Sequence, residues 1–206
     1  MPRPRSLSQD RIADAALAVL DRAGTDGLTM RAVAGELGTS PMALYRYVDD
    51  RGQLERWVVE RVLSRVDLAL PEGLPWAGRI ELLLDRARAA VVTHPAVVPL
   101  VLTHRHAAPS SLRLIETMLA VLTEAGFTGT DRVVAQRALI GHLLGTLLLD
   151  HLGPLPGDGT ETMAALPVDA FPHLAATAAH ARQVAPADEF RLGLAALLRG
   201  LRPGSD

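Results

Sequence analysis

Apolar side chains recur every three or four positions along almost the whole chain, and no stretch alternates apolar with polar residues as a half-buried strand would. From Ser8, the positions Ile12, Ala15, Ala16, Val19 and Leu20 form one helical stripe that stops at Gly24. Thr29 stands as a cap before Val33, Ala34 and Leu37, and Gly38 ends that segment. Ser40-Pro41 pairs a capping residue with proline at the first helical position, and Asp50 opens a longer helix through Leu54, Trp57, Val58, Arg61, Val62 and Val66. After Pro71 and Pro75, Ile80, Leu83, Leu84, Ala87 and Val91 share one face, and a short apolar piece follows over 97–102. Pro109-Ser110 starts a helix through Leu114, Met118, Val121 and Leu122 that Gly126 stops. Residues 131–152 form a long, very apolar helix, 153–167 read as a mobile loop rich in Gly and Pro, and two last helices cover about 168–182 and 187–201. The expectation is an all-α chain. It has a three-helix head at 1–51, a connecting helix at about 50–70 and a larger helical body at 71–206.

Composition narrows the chemistry. Hydrophobic residues make up 49% of the 206, enough for a real core, and cysteine is absent. That removes disulfides, zinc-thiolate sites and a cysteine nucleophile, and it fits a reducing cytoplasm. All 21 basic residues are arginine, so no lysine Schiff base or P-loop lysine is available. The start MPRPRSLSQD has no apolar run behind its arginines, so no signal peptide is expected, and no stretch reads as a membrane span. Net charge is −2, and the head balances seven arginines with seven acids. A nucleic-acid surface, if there is one, must therefore be local.

One pair of helices supplies such a surface. Ala34 lies four residues before Gly38 and Leu44 six after it, the spacing of a helix-turn-helix. A small side chain at Ala34 lets the second helix approach, and Gly38 permits the left-handed backbone of the tight turn. Val33, Leu37, Leu44 and Val48 supply the buried side. Both tyrosines of the chain fall on this element, at Tyr45 and Tyr47, with Arg46 between them. Met42, Tyr45 and Arg46 at i, i+3 and i+4 share an outward face, with Tyr47 toward its flank. On such a face an arginine can fork onto guanine, a methionine can touch a thymine methyl, and phenols can bond phosphates. Ser40 and the helix start offer backbone amides to a phosphate, and Thr29 and Arg31 open the preceding helix. Tyr47 has a second reading, as a ring sealing the head against the connecting helix.

The stretch LTMRAVAGELGTSPMALYRYVDDRGQLERWV resembles the DNA-binding head of the TetR family of bacterial transcriptional regulators, over residues 8 to about 66. WAGRIELLLDRARAAVVTHP, FTGTDRV and GHLLGTLLLDHL resemble, less specifically, the tetracycline-repressor-type C-terminal domain. The resemblance implies a cytoplasmic homodimer that binds a palindromic double-stranded DNA operator and carries a small-molecule effector cavity in its body. It implies no cofactor and no membrane partner. Thr29, Arg31, Ser40, Pro41, Met42, Ala43, Tyr45, Arg46, Tyr47 and Arg51 match the family's operator-contacting positions. Arg51 stands where family members often carry lysine, directly after Asp49 and Asp50.

Seven histidines invite other chemistry. His94, His104 and His106 are close in sequence, yet no acid completes a ligand set, and His142 and His151 face opposite sides of their helix. Histidine at a helix end also stabilises orphan carbonyls. A polar lining within an apolar cavity is the preferred reading: Leu84, Ala87, His104, His106, Met118 and His142, with a largely hydrophobic or aromatic ligand. Gly141 and Gly145, with Leu148, mark close helix packing, within the body or between two subunits. No catalytic motif is present. The functional expectation is a ligand-responsive repressor without enzymatic activity. A constitutive DNA-binding dimer and a histidine-dependent metal-binding protein stay open.

Overall fold

Ser8 sets the first helix, because its hydroxyl accepts from the Arg11 amide at 3.4 Å. The computed structural model describes residues 7–204; Arg3 and Arg5 of the head lie outside them. Among the described residues there are eleven α-helices and no strand. The first four are α1 (Gln9–Gly27), α2 (Met30–Glu36), α3 (Pro41–Leu44) and α4 (Arg51–Leu63). Then come α5 (Trp76–Val92), α6 (Val98–His104) and α7 (Pro109–Glu124), with 3-10 turns at Pro95–Val97 and Arg105–Ala107 on either side of α6. The last four are α8 (Gly129–Leu152), α9 (Asp158–Ala164), α10 (Pro172–Ala181) and α11 (Pro186–Gly200). Gly24, where the sequence stripe stops, is the one non-helical residue inside α1, at φ 67.

The chain packs as two units that are not consecutive in sequence. The first is Met1–Ala69 with Arg86–Thr117, the second Leu70–Asp85 with Met118–Asp206. In the first unit α1 lies against α2 and α4, and α4 against α6. Ile12, Ala16, Leu20, Leu28, Val33, Ala34, Leu44, Val48, Leu54, Val58 and Val62 are fully buried there. Each large apolar side chain among them contributes about 1.5–3 kcal/mol relative to exposure.

Four sequence expectations change. The connecting helix ends at Leu63 rather than near residue 70: the Arg65 and Val66 amides bond three residues back, to Val62 and Leu63, and Arg86 Nη1 takes the Asp67 and Ala69 carbonyls. Leu37 caps α2 and is only half-buried. The stretch 153–167 is not all loop, because α9 forms within it. Asp158 and Glu161 complement the positive end of α9, Thr160 is buried, and α9 packs along α10. Finally, α8 is long and apolar enough to cross a membrane by length and composition, although the sequence reading saw no such stretch. It carries Arg132, Arg137, His142 and Asp150 along its length.

In the second unit α8 and α11 meet at a specific contact. The His142 ring stacks on Phe190 with centroids 5.1 Å apart, and Nε2–H donates to the Phe190 carbonyl at 2.9 Å. Gly193, one turn on, leaves the room: a Cβ there would lie 2.6 Å from His142 Cε1. Trp76 meets Phe127 edge-to-face at 5.3 Å, and Arg79 pairs with Glu124.

Helical glycine normally costs about 1 kcal/mol against alanine, so Gly→Ala should stabilise wherever space allows. At Gly193 the clash reverses the sign. Gly193→Ala is expected to destabilise by about 1–3 kcal/mol, read as a lower melting temperature. In a His142→Ala background the same substitution should cost nothing further. An equal loss in both backgrounds would place the cause elsewhere.

Candidate nucleic-acid interface

The outward face of the head is built from two capped helices and one turn. Thr29 Oγ1 accepts from the Ala32 amide at 3.2 Å, fixing the start of α2. Ser40 Oγ accepts from Ala43 at the same distance, and Pro41 opens α3. Between them Gly38 adopts φ 67, and the Thr39 amide closes on the Ala34 carbonyl at 2.9 Å. Ala34 is fully buried at that junction.

Regular helix ends at Leu44, earlier than the sequence pattern through Val48 implies. The face nevertheless keeps helical geometry. Tyr45 N bonds Pro41 O, and both Tyr47 N and Val48 N bond Leu44 O. Leu44 and Val48 stay at 0% exposure as the inward anchors. Met42, Tyr45 and Tyr47 are left 77%, 52% and 41% exposed, although large apolar and aromatic residues usually prefer burial. Arg31 and Arg46 are also exposed, and neither pairs with a described residue. Neither tyrosine hydroxyl has a described partner. Thr29 and Ser40 are exposed, and Pro41 and Ala43 half-buried, along the same edge. Five unsatisfied or apolar side chains on one surface of a balanced-charge head fit a duplex: donors for phosphate, and a methionine and an arginine for base edges.

Arg51 is placed differently. Its Nε donates to Glu55 Oε1 at 2.7 Å and its Nη2 to the Thr25 carbonyl at 2.9 Å. Asp49 and Asp50 serve the start of α4. Asp50 Oδ1 accepts from Gln53 N at 2.6 Å, and Asp49 exchanges two bonds with the Gln53 side chain. Two carboxylates at a helix N-terminus are stabilised by its dipole.

The other side of α4 is fastened by its glutamates, which the sequence reading did not single out. Glu55 Oε2 accepts from His104 Nε2 at 2.9 Å. Glu60 accepts from the Ser110 amide and hydroxyl, both at 2.7 Å, and from Arg113. Glu55 was findable as a carboxylate four residues after Arg51, whereas Glu60 has no local signal because its partners are fifty residues away. Asp14 accepts two bonds from Arg61, and His94 joins Asp21 at 2.7 Å and Arg65 at 3.2 Å. Since Arg65 can only donate, His94 accepts at Nε2 and donates from Nδ1 to Asp21.

The residues expected to line a cavity fall in both units: Ala87, His104 and His106 in the first, Leu84, Met118 and His142 in the second. Leu84, Ala87 and Met118 are buried, and His106 is exposed. His104 and His142 already spend a ring N–H on protein, at Glu55 and Phe190. A groove of about 370 Å³ lies elsewhere in the first unit, between Gln9, Asp10 and Ala13 of α1 with its cap Ser8, and Trp57, Glu60 and Arg61 of α4 with its cap Ser64. Among the described residues no three His, Asp or Glu side chains gather as a metal site.

Two capped helices joined at Gly38, with an outward row of unpaired polar side chains, define the chain as a helix-turn-helix DNA-binding protein. Comparison makes the assignment narrower. Residues 12–54 match the bacterial regulatory proteins of the tetR family, and residues 70–203 match the tetracyclin repressor-like C-terminal domain. The chain belongs to the TetR family of transcriptional regulators. It is 32% identical over 146 residues, 70% of its length, to the HTH-type transcriptional repressor DrrR1 of Streptomyces coeruleorubidus, and the match spans 53% of that relative. A possible TetR family transcriptional regulator from Streptomyces coelicolor A3(2) superposes with a TM-score of 0.85 at 29% identity, covering 95% of this chain and 98% of that one. ActR of Streptomyces coelicolor in complex with actinorhodin gives 0.81 at 25% identity, covering 96% of each chain.

The Glu55 carboxyl is pulled in two directions. Burial raises it, while hydrogen bonds and charge from Arg51 and His104 lower it and prevail, leaving it below its ordinary value of 4.5. Its contribution to stability is therefore complete above 4.5 and is lost as pH falls through the lowered value. Glu55→Gln is expected to flatten the acid limb of a melting-temperature profile while leaving its alkaline limb unchanged. An acid limb identical to that of the unmodified protein would show that Glu55 carries none of that linkage.

Proposed function

We propose that the protein is a homodimeric, cytoplasmic repressor whose two heads occupy successive major grooves of a palindromic operator and are released by a small, largely apolar or aromatic effector. The observation that carries the DNA reading is the outward row Met42, Tyr45, Arg46 and Tyr47, anchored from behind by Leu44 and Val48. Arg46 reads a guanine, and Met42 and Ala43 lie against neighbouring bases. Thr29, Ser40, Tyr45, Tyr47 and Arg51 hold the phosphate backbone, Pro41 packs beside it, and Arg31 takes a base or a phosphate. The effector reading is supported by the likeness to ActR, which has been solved in complex with actinorhodin. The family is one of regulators, and no catalytic step is assigned to this chain.

Dimerisation is proposed through α8 and α11. Val134, Gly141, Gly145, Leu148 and Leu152 follow helical spacing along one face of α8, and a Cβ at either glycine would meet nothing within 4 Å. Val134 and Leu152 are exposed there, as are Val133, Leu149 and, on α11, Leu192. Exposed apolar residues on a helix beside open glycines fit a second helix at close range. Two heads on a symmetric dimer then meet half-sites about 34–36 Å apart.

Two experiments separate the parts of this reading. Against a duplex selected from a random library, Arg46→Ala is expected to lose about 1–3 kcal/mol of discrimination at one base pair, while Tyr45→Phe weakens all sequences alike. Unchanged discrimination at every position after Arg46→Ala would remove the base contact. By light scattering the unmodified protein should be a dimer at micromolar concentration, and Gly145→Arg should give a monomer that no longer binds the duplex. A monomeric unmodified protein would overturn the dimer. Absence of release across a broad panel of metabolites and antibiotics would leave a constitutive DNA-binding dimer.

A further inference from the structure

Arg51, a proposed phosphate contact, begins α4, yet its guanidinium is occupied. It spans Glu55 Oε1 at 2.7 Å and the Thr25 carbonyl at 2.9 Å while its side chain is 48% exposed. Glu55 is far less exposed, at 15%, and its second oxygen takes the ring N–H of His104, the last residue of α6, at 2.9 Å. One carboxylate thus links a proposed phosphate contact to the end of α6.

We propose that Glu55 and His104 are positioning residues for DNA binding. Glu55 holds Arg51 off the phosphate, and the bond from His104 decides how readily Glu55 lets it go. This rests on the reading of Arg51 as a phosphate contact. When Arg51 swings to a phosphate, Glu55 loses a charge-assisted bond. With His104 in place the half-buried carboxylate keeps one donor and the exchange is nearly balanced. Without His104 the same move strands a carboxylate with little access to water, and a group left unpartnered in that way is expensive. Arg51 then stays on Glu55, and the head loses a phosphate contact without any change of fold. Any displacement of the end of α6 at His104 therefore reaches the DNA-facing edge through two side chains. The bonds of Glu60 to Ser110 and Arg113 are separate and hold α4 to the start of α7 whatever Glu55 does.

The test measures affinity and its salt dependence on the duplex selected with the unmodified protein, at neutral pH. Arg51→Ala comes first. It should weaken binding and reduce the slope of log K against log salt by about one. No change in either would overturn the reading of Arg51 itself, separately from the coupling. His104→Ala should then weaken binding on the order of tenfold with a shallower slope. His104→Gln, whose amide still donates to Glu55, should recover part of that loss. Glu55→Gln should bind about two- to fivefold tighter, because Arg51 is released from an ion pair. The decisive arms are the doubles: His104→Ala should have no effect in the Glu55→Gln or Arg51→Ala backgrounds. A loss that persists in either background, or a weaker-binding Glu55→Gln variant with an unchanged melting temperature, would overturn the coupling. If His104→Ala fails to fold, the Gln variants at 104 and 55 carry the same comparison.

Discussion

What the head presents outward depends on the backbone at Gly38. Its left-handed φ turns the chain between α2 and α3 in a few residues, and the Thr39 amide closes the turn on Ala34. A side chain at Gly38 would meet no neighbour, so the constraint is conformational rather than one of space. Once the turn is set, Ala34 beneath it and Leu44 and Val48 beyond it are forced inward together. Met42, Tyr45, Arg46 and Tyr47 then have only the outside left to them. Helix propensity plays a small part here, for α3 itself is a single turn held by a Ser40 cap and the anchors behind it.

Behind that surface, α4 is held by polar contacts as much as by packing. Its apolar stripe of Leu54, Val58 and Val62 seats it in the core. Its polar positions reach out in a different pattern: Arg51 and Glu55 toward Thr25 and His104, Glu60 toward Ser110 and Arg113, and Arg61 toward Asp14. Apolar packing is non-directional and tolerates small shifts. Charge-assisted bonds are directional, and exchanging one partner for another changes which side chains are free. Apolar packing can therefore keep the helix in place while its charged partners change.

The parts of this fold legible in the sequence were those specified locally. Caps at Ser8, Thr29, Ser40 and Asp50, the glycine breaks at Gly24 and Gly38, and the inward spacing of Leu44 and Val48 all act within one or two turns. The outward row of the head follows from the same spacing. What was not legible depends on distant partners. The end of α4 at Leu63 reflects the tail at Asp67 and Ala69 being taken up by Arg86. Helix α9 hides in a Gly- and Pro-rich segment because burial of Thr160 and packing on α10, rather than propensity, sustain it. The bond from His142 to the Phe190 carbonyl was not legible either, because its partner lies forty-eight residues away.

The even charge balance of the head gives these pairings their weight. Seven arginines against seven acids leave no general attraction for a polyanion, so binding must draw on particular guanidinium groups. Arg22 is committed to Glu36, and Arg51 to Glu55 and Thr25. Arg31 and Arg46 are exposed and free of described partners. In a strongly basic head the diversion of one arginine would disappear against the background. In a head of balanced charge each phosphate contact is a large fraction of the electrostatic term, so if Arg51 is one of them, as proposed, the state of the Arg51–Glu55 pair is enough to alter affinity measurably. A head of balanced charge is in this sense easier to regulate through side-chain exchange than a basic one, because little non-specific attraction remains once a specific contact is withdrawn.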